Sequence, residues 1–450
     1  MTVSKLRASA FTPRRAAMLT ALSLSIILPA CATAPQQQTQ NQIPVPVRIE
    51  KPTTNTPDRP DPVATKPDPR ENPTTRKPKD ETPVVRTRDG LTPPHMAGRP
   101  VQRVALLLPF SASNSTLRAE SASMLQAAEM AVFDRDKADV LLIALDTAGT
   151  KSGAKNAAQS AIDSGADVIL GPLLAPNVMA AQDAARRSDT PILAFSTNQS
   201  VAGNGVYLLS FPPEAEVERI TTYAASQGMS RFALLGPTNG YTRRVEPAYR
   251  RAITGQGAQY VISKTYSGNT INDMQGPASE LAKAYLQGGQ EFDAVLLPES
   301  GTGLRSLGPL LPYYDINPAK VKFLGTSLWD KEETKLEPAL RGGIFAAADK
   351  DASAGFASAF QSTYNSPPSS LASLAYDGVN ISAMVAEGDP RGRAQRMTDP
   401  QGFYGVDGFV RFRADGTPQR GLAVYEVRPG RFEQIDPAPK TADEIAASIQ

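Results

Sequence analysis

Four short apolar runs in the chain end alike, each with a proline one or two residues after its last large apolar side chain. They read LLLPF (106–110), VILGP (168–172), ALLGP (233–237) and VLLPE (295–299). Runs of this length and content are typical of buried β-strands. Because proline cannot continue the hydrogen-bonded ladder, the chain leaves the sheet there through a short loop.

Amphipathic helical patterns separate the apolar runs. After the run 104–108 and a polar loop, apolar residues recur from Leu117 to Val132 with a period close to 3.6, and Ser115 or Thr116 is expected to cap this helix. The same order repeats in two series that divide near Phe211-Pro-Pro213. This alternation predicts an α/β fold with two similar lobes that face each other.

The predicted elements fill residues 101–435. We expect strands over 104–108, 140–145, 166–170, 191–195, 206–209, 232–235, 259–266, 292–297, 322–325 and 343–347. We expect further helices over 154–162, 178–187, 214–227, 245–254, 277–287, 303–311, 355–365 and 371–386. Asp415-Gly416 and Pro429-Gly430 are turn signals, the first of them between alternating segments.

Composition excludes several classes of function. The chain has one cysteine, Cys31, and one histidine, His95. A disulfide framework, a Cys/His metal cluster and a histidine-dependent catalytic triad are therefore excluded from the folded part. The formal charge is +2 overall, but residues 101–450 carry about −5, which argues against nucleic acid as a partner. We expect no enzymatic activity, no catalytic residue, no cofactor and no metal.

Residues 1–31 have the pattern of a secretion signal. A basic flank precedes an apolar stretch over 18–28, which is too short to span a bilayer. The sequence LPAC (28–31) resembles the lipobox of bacterial lipoproteins, and this resemblance implies that Cys31 is lipidated and anchors the chain to a membrane. Ala32 follows in place of the Asp that retains lipoproteins at the inner membrane, so we expect the periplasm and the outer membrane. The alternative is a cysteine that merely follows an ordinary signal.

Residues 32–100 are expected to form a disordered tether. They contain fifteen prolines and no aromatic residue, so they cannot bury enough apolar surface to offset the entropy of ordering. At about 3.1 Å per residue in polyproline form, they would reach roughly 200 Å. That reach suits a folded part that works away from its membrane, although a passive spacer has the same composition. His95 lies in this tether and is not expected to be catalytic.

The order of these parts resembles the type I periplasmic binding-protein fold, in its leucine/isoleucine/valine-binding branch. The resemblance covers most of 101–435. It is carried by VALLLPFSAS (104–113), LQAAEMAV (125–132), DVILGPL (167–173), ILAFSTN (192–198), FALLGPTNGY (232–241), AYDGV (375–379) and GVDGFVRFRADG (405–416). Within that fold, the lipobox together with the LLLPFSAS opening resembles the penicillin-binding-protein activators, lipoproteins that stimulate peptidoglycan synthases.

The resemblance implies two doubly wound parallel sheets joined by a hinge of three crossovers. The expected divisions are a signal peptide (1–31), a tether (32–100), a first lobe (101–212 plus 348–393), a second lobe (213–347 plus 394–437) and a tail (438–450). Asp377, in a helix near the hinge, is expected to cap or pair structurally.

The resemblance also implies where a ligand would lie. In amino-acid binders of this fold, loops of the first lobe hold the ligand carboxylate through backbone N–H groups and hydroxyls. The matching positions are Gly171, Pro172, Leu173, Ser196, Thr197 and Asn198, with Ser111 and Ser113 in the loop after the first strand. Tyr241 and Glu299 of the second lobe would meet the ammonium group. The alternative is that these residues serve only as loops and turns.

The loop after the predicted strand 322–325 of the second lobe reads Ser327-Leu-Trp329. It lacks a carboxylate, and a buried ammonium without one is poorly paired, which counts against a tight amino-acid site. Trp329 either lines the cleft or belongs to the core.

Two hypotheses of function follow. The first is a periplasmic lipoprotein that binds and activates a penicillin-binding protein, which the long tether favours. The second is a receptor for amino acids or small peptides in an ABC uptake system.

Overall fold

The computed structural model describes residues 92, 93, 96, 98–135, 137 and 139–449. The predicted signal peptide with its lipidation site Cys31, and nearly all of the predicted tether with His95, lie outside the described residues.

Five parallel strands form the sheet of the first lobe, in the order β2-β1-β3-β4-β5. They are β1 (Gln102–Leu108), β2 (Val140–Asp146), β3 (Val168–Leu170), β4 (Ile192–Ala194) and β5 (Val206–Leu208). All five overlap the predicted strands and confirm them. Every residue of β1 from Val104 to Leu108 is 0% exposed, because helices cover both faces of the sheet.

The helices of the first lobe lie on the two faces of this sheet. They are α1 (Ser115–Phe133), α2 (Lys151–Asp163), α3 (Ala175–Ser188), α9 (Lys350–Tyr364) and α10 (Ala372–Ala386). Alternate residues of β1 separate the two layers, since successive side chains of a strand point to opposite faces. Leu106 packs in a core with residues of α1 and α10, whereas Leu107 packs in a core with residues of α2 and α3.

Seven strands form the sheet of the second lobe, in the order β15-β14-β10-β9-β8-β6-β7. The parallel strands are β6 (Arg231–Pro237), β7 (Gln259–Tyr266), β8 (Ala294–Leu296), β9 (Lys322–Gly325) and β10 (Ile344–Ala347). The antiparallel strands β14 (Ala423–Arg428) and β15 (Arg431–Asp436) complete one edge. The helices of this lobe are α4 (Pro213–Ser226), α5 (Gly240–Gly255), α6 (Ile271–Leu286), α7 (Gly301–Tyr313) and α8 (Glu332–Lys335).

A small antiparallel sheet follows the short helix α11 (Arg393–Met397). Its strands are β11 (Phe403–Gly405), β12 (Gly408–Phe412) and β13 (Pro418–Arg420). Val410 and Phe412 pack in the core of the first lobe, where the rings of Phe412 and Tyr207 lie 6.0 Å apart. The segment 394–437, predicted to lie wholly in the second lobe, therefore divides, because apolar side chains of β12 are buried against the first. The chain crosses between the lobes after β5, after β10 and after β13.

The predicted tail contains a helix, α12 (Ala442–Ile449). Its residues Ala442 and Ile445 are buried against Phe409 of β12. Within the described part of the chain, no helix combines the length and the apolar character needed to cross a membrane.

Two helix starts differ from prediction because side-chain caps lie earlier in the chain. Asn114, and neither Ser115 nor Thr116, caps α1, since its side-chain oxygen accepts the N–H of Leu117 at 3.0 Å. Helix α6 begins at Ile271, six residues before the predicted start, because Thr270 and Asp273 form a capping box.

The glycines of the two predicted turns have different surroundings. Gly416 and Gly430 adopt φ of +79° and +72°, the left-handed region that favours glycine. A side-chain carbon at Gly416 would collide with the carbonyl oxygen of Val206, whereas one at Gly430 would meet nothing within 4 Å. The N–H of Leu208 also donates to the Gly416 carbonyl at 3.0 Å, so the β12–β13 turn is docked on β5.

We predict that Gly416→Ala lowers the free energy of unfolding more than Gly430→Ala does. Gly430→Ala costs about 1 kcal/mol through its backbone conformation alone. Gly416→Ala adds a clash with β5, for a total of about 3 kcal/mol. Urea unfolding of both variants measures the difference, and equal costs would contradict the docking of this turn.

Candidate functional site

The loops that follow β3 and β4 lie side by side. The N–H of Gly171 donates to the carbonyl of Leu193 at 2.8 Å, and the N–H of Phe195 donates to the carbonyl of Pro172 at 3.1 Å. Gly171 has a φ of +92°, and a side-chain carbon there would collide with the carbonyl oxygen of Leu107. The structure therefore brings together Gly171-Pro172-Leu173 and Ser196, as expected of strand ends in a parallel sheet.

The Ser196–Asn198 loop is a tight turn whose last two residues are exposed. Ser196 is only 4% exposed, and its hydroxyl oxygen accepts the N–H of Asn198 at 3.2 Å. The Asn198 side chain accepts the N–H of Ser200 at 3.0 Å. Thr197, between them, is exposed. Its hydroxyl, the hydroxyl proton of Ser196 and the side-chain amide N–H groups of Asn198 are the donors that this turn can offer to a ligand.

Polar groups of the loop after β1 form hydrogen bonds within the protein. The N–H of Ser111 donates to the Asp146 carboxylate at 3.2 Å, and the Ser111 hydroxyl donates to the same carboxylate. Burial acts to raise the pKa of Asp146, but hydrogen bonds from Ser111 and Ala148 outweigh it and lower that pKa. The carbonyl of Ser113 accepts from Arg118 at 2.9 Å. Ser111 therefore fixes the end of β2 and has fewer groups left for a ligand.

Tyr241 and Glu299 of the second lobe bind different neighbours. The hydroxyls of Tyr241 and Thr326 lie 2.7 Å apart, which joins the first turn of α5 to the loop after β9. Glu299 accepts from the Tyr266 hydroxyl at 2.8 Å and from the N–H of Ser300 at 2.9 Å. Burial and then the Glu299 carboxylate raise the pKa of Tyr266. Among the described residues, no hydrogen bond joins Tyr241 to Glu299.

Trp329 belongs to the core of the second lobe and does not line the cleft. It is 0% exposed, and its indole N–H donates to the carbonyl of Leu297 at 3.1 Å. The ring lies against Gly325 and Gly343, where a side-chain carbon would overlap it. Two glycines thus make the space for this side chain, and its role is packing.

Sequence reasoning missed a carboxylate at the loop after β9. Glu216, in the first turns of α4, accepts the N–H of Ser327 at 2.9 Å. Burial raises the pKa of Glu216 to about 7, against the hydrogen bonds from Ser327 and with a smaller contribution from Glu214. The loop 327–329 carries no carboxylate of its own, and a residue more than a hundred positions earlier supplies one. The only signal in the sequence was acidic residues at a helix start.

Sequence reasoning also missed a contact between the two lobes. Arg244, near the start of α5, donates to the carbonyl of Thr197 at 2.8 Å. The same guanidinium holds the Glu214 carboxylate through two bonds of 3.0 and 2.8 Å. A cation of the second lobe therefore lies at the exposed turn of the first lobe, beside the donors that suit an anion.

The expected structural role of Asp377 is confirmed. Its carboxylate accepts the N–H groups of Val406 at 2.8 Å and Asp407 at 3.1 Å, which fixes α10 to the turn between β11 and β12. Burial and the neighbouring Asp407 raise the pKa of Asp377 to about 7.

These groups can bind a solute without chemical reaction. Hydroxyls and a guanidinium collect at the first-lobe turn, and a carboxylate and a phenol collect at the second-lobe loops. Within the described ranges, no group of three or more His, Cys, Asp and Glu side chains is placed to hold a metal ion.

Comparison with known proteins gives a family and a fold. The family model described as "Periplasmic binding protein" matches residues 101–431. No curated protein matches the chain.

Several solved structures share the fold. A protein described as a branched-chain amino acid ABC transporter from Rhodospirillum rubrum is 18% identical over 74% of this chain and 100% of its own, with a TM-score of 0.64. A substrate-binding protein from Desulfitobacterium hafniense in complex with Leu is 20% identical over 74% and 99%, with a TM-score of 0.53. A solute-binding protein from Rhodopseudomonas palustris BisB5 in complex with 3,4-dihydroxybenzoic acid is 16% identical over 76% and 98%, with a TM-score of 0.52.

We predict that Glu216 makes the protein less stable as the pH rises. Its pKa is about 7 in the folded state and 4.5 for an ordinary glutamate, so the folded state holds a proton that the unfolded chain releases. This stabilisation is complete below pH 4.5 and is lost as the pH rises through 7. The free energy of unfolding of the wild type should therefore fall, relative to Glu216→Gln, between pH 5 and pH 8.

Denaturant unfolding at each pH measures this difference. The pKa of Asp377 is also raised, but this effect is common to the wild type and Glu216→Gln. The difference between their curves therefore isolates Glu216. Glu280→Gln, at an exposed residue paired with Lys264, serves as the control and should not reproduce the change. Parallel curves for the wild type and Glu216→Gln would refute the assignment.

Proposed function

The chain belongs to the periplasmic binding protein family, and from this premise we propose that it is a non-enzymatic periplasmic receptor that holds a small solute between its two lobes. The observation that carries the proposal is the contact of Arg244 with the Thr197 carbonyl at 2.8 Å. In this contact the start of α5, the helix that follows β6, meets the loop after β4. Ligands of α/β sheets bind at such loops.

We propose that the solute carries a carboxylate. The turn 196–198 offers hydroxyl donors, and the guanidinium of Arg244 lies beside it. The Nε and Nη2 atoms of Arg244 already hold the Glu214 carboxylate, so the hydroxyls of the turn are the donors that would bind the solute carboxylate directly. The Leu complex of the Desulfitobacterium protein and the dihydroxybenzoic acid complex of the Rhodopseudomonas protein both hold a carboxylic acid, which supports this class.

An amino group on the solute would find partners in the second lobe. Glu216 brings a carboxyl group to the loop after β9, Tyr241 lies in the first turn of α5, and Glu299 lies in the loop after β8. The carboxyl group that the 327–329 loop lacks in its own sequence is thus supplied from α4, and an ammonium group beside it would favour its ionised form. We therefore favour an α-amino acid or a short peptide over a simple acid.

Activation of a peptidoglycan synthase is a second candidate. One observation favours it, because several polar groups of the loops already have partners in the protein. The Asp146 carboxylate accepts a hydrogen bond from Ser111, and the Glu299 carboxylate accepts one from Tyr266. Loops satisfied in this way need no ligand, and the lipobox with the LLLPFSAS opening resembles the penicillin-binding-protein activators. In this reading the partner is a penicillin-binding protein.

We predict that calorimetry detects an amino acid or small peptide with a micromolar Kd. Ser196→Ala together with Thr197→Ala should weaken that binding at least about tenfold, because two donors to the carboxylate are lost. Ser160→Ala, an exposed serine on α2, is the matched control and should bind as the wild type does. No binding of amino acids, aromatic acids or cell-wall peptides, together with a faster synthase when the protein is added, would favour the second candidate.

We propose that Cys31 anchors the chain to a membrane, with Ala32 favouring the outer membrane. The prediction is that Cys31→Ser moves the protein from the membrane fraction to the soluble periplasmic fraction, since the acyl chains that bind the bilayer are no longer attached. Metabolic labelling with a radioactive fatty acid provides the direct measurement. Labelling of the Cys31→Ser protein, or its continued presence in the membrane fraction, would contradict the anchor.

A further inference from the structure

The outer strands of the two large sheets are β2 and β5 in the first lobe and β7 and β15 in the second. An outer strand can pair with another strand, and proteins usually prevent this with charged side chains, proline or a covering loop. Strand β5 is covered, because the N–H of Leu208 donates to the carbonyl of Gly416. Strand β7 carries Lys264, and β15 carries Arg431 and Glu433. In the described part of the chain, β2 (VLLIALD) is the outer strand with no charge before its last residue.

Among the described residues, the backbone groups on the outer side of β2 have no partner. The carbonyl of Asp139 accepts the N–H of Gln102 at 2.8 Å, so the odd-numbered residues of β2 face β1. Consecutive residues of a strand direct their N–H and C=O groups to opposite sides, and Val140, Leu142 and Ala144 therefore face outward. Within the described chain, β1 is the one strand that pairs with β2.

The side chains of β2 make both faces of this edge apolar. Leu142 packs in the core with residues of α1 and α10, whereas Ile143 and Leu145 pack in the core with residues of α2 and α3. All three are partly exposed, and Ala144 is exposed. A strand added here would gain a ladder of hydrogen bonds and would also bury apolar surface.

One segment of the predicted tether has the sequence pattern that this edge requires. Residues 43–49 read IPVPVRI and hold four of the seven isoleucine and valine residues between positions 32 and 91. These four stand at positions 43, 45, 47 and 49, so an extended chain would place all four side chains on one face. The segment has seven residues, and β2 has the same number.

The two prolines of the segment stand where they do not interrupt pairing. Pro44 and Pro46 alternate with Ile43, Val45 and Val47, so the N–H groups that proline lacks all belong to the side that would face away from β2. The opposite side keeps its complete set of N–H and C=O groups. The prolines would then close the new outer edge of the sheet, which is where strands tolerate them.

The tether is long enough to bring this segment to β2. The chain enters the fold at β1, where Gln102 bonds to Asp139, the residue just before β2. A link of 52 residues separates Ile49 from Gln102, whereas a strand of seven residues is only about 23 Å long. Pairing would be intramolecular, and its entropic cost grows only slowly with the length of the link.

We propose that residues 43–49 add to the outer edge of β2 as a sixth strand of the first-lobe sheet. Antiparallel addition puts the four apolar side chains on the face of Leu142, and parallel addition puts them on the face of Ile143 and Leu145. Both faces are apolar, so either direction buries them.

The added strand sets how far the folded part can work from its membrane, a consequence that rests on the proposed anchor at Cys31. Docking leaves only residues 32–42 between the anchor and the fold. These eleven residues reach about 34 Å in polyproline form, whereas the released tether reaches roughly 200 Å.

Hydrogen exchange of the purified full chain, resolved to single residues, tests the proposal. The N–H groups of Leu142 and Ala144 should exchange slowly in the wild type, because the added strand supplies their acceptors. Val47→Pro removes an N–H that faces β2 and should speed this exchange at least about tenfold. Arg48→Pro adds a third proline on the outer side, and this matched control should exchange as the wild type does.

The N–H of Ile143 faces β1 and reports whether either variant disturbs the sheet itself. Fast exchange of Leu142 and Ala144 in the wild type would overturn the proposal, and so would an equal effect of the two proline variants. Slow exchange that Val47→Pro leaves unchanged would also overturn it. If that protection disappears on dilution and sedimentation shows a dimer, the edge pairs with a second copy of the chain instead.

Discussion

When helices cover both faces of a parallel sheet, the chain can leave each strand only at the carboxyl edge of the sheet. The rest of this molecule depends on that constraint. The core residues of β1 are 0% exposed, so neither face offers a path to solvent. Proline or glycine stands at the end of β1, β3, β6 and β8 or within two residues after it, and the next helix begins a few residues later. Each lobe therefore collects its loops along one edge. The proposed solute site is a consequence of how the strands end.

Buried ionisable side chains lie where distant parts of the chain meet. Glu216 joins α4 to the loop after β9, and Asp377 joins α10 to the turn before β12. Arg420 lies between the β12–β13 hairpin and Phe211 at the first crossover. A buried charge is costly unless it is bonded. The hydrogen bonds of Glu216 and Asp377 therefore fix the relative positions of the segments that they join, which apolar packing alone defines less well.

The strands and their loops could be predicted because the signal is local. Apolar runs, proline and a 3.6-residue period depend on neighbours within one segment. The loops after β3 and β4 were expected to meet, and the bond from Phe195 to Pro172 shows that they do. The partners of single side chains could not be predicted. Whether Trp329 faces the cleft or the core depends on two glycines that lie before and after it in the chain, and the direction of Glu299 depends on a tyrosine at the end of β7.

The sequence by itself determined the α/β class, the two lobes and the set of loops that hold the polar residues. Only the tertiary structure decided which of those residues already use their polar groups in hydrogen bonds within the protein. It showed that Ser111 is bound to Asp146, that Glu216 supplies a carboxylate to the loop after β9, and that Arg244 reaches across to Thr197. The physical reason is how far apart along the chain the interacting residues lie. Secondary structure follows from contacts a few residues apart, whereas a hydrogen bond forms between whichever groups the fold brings within about 3 Å. Here those groups are separated by 35 to 111 residues.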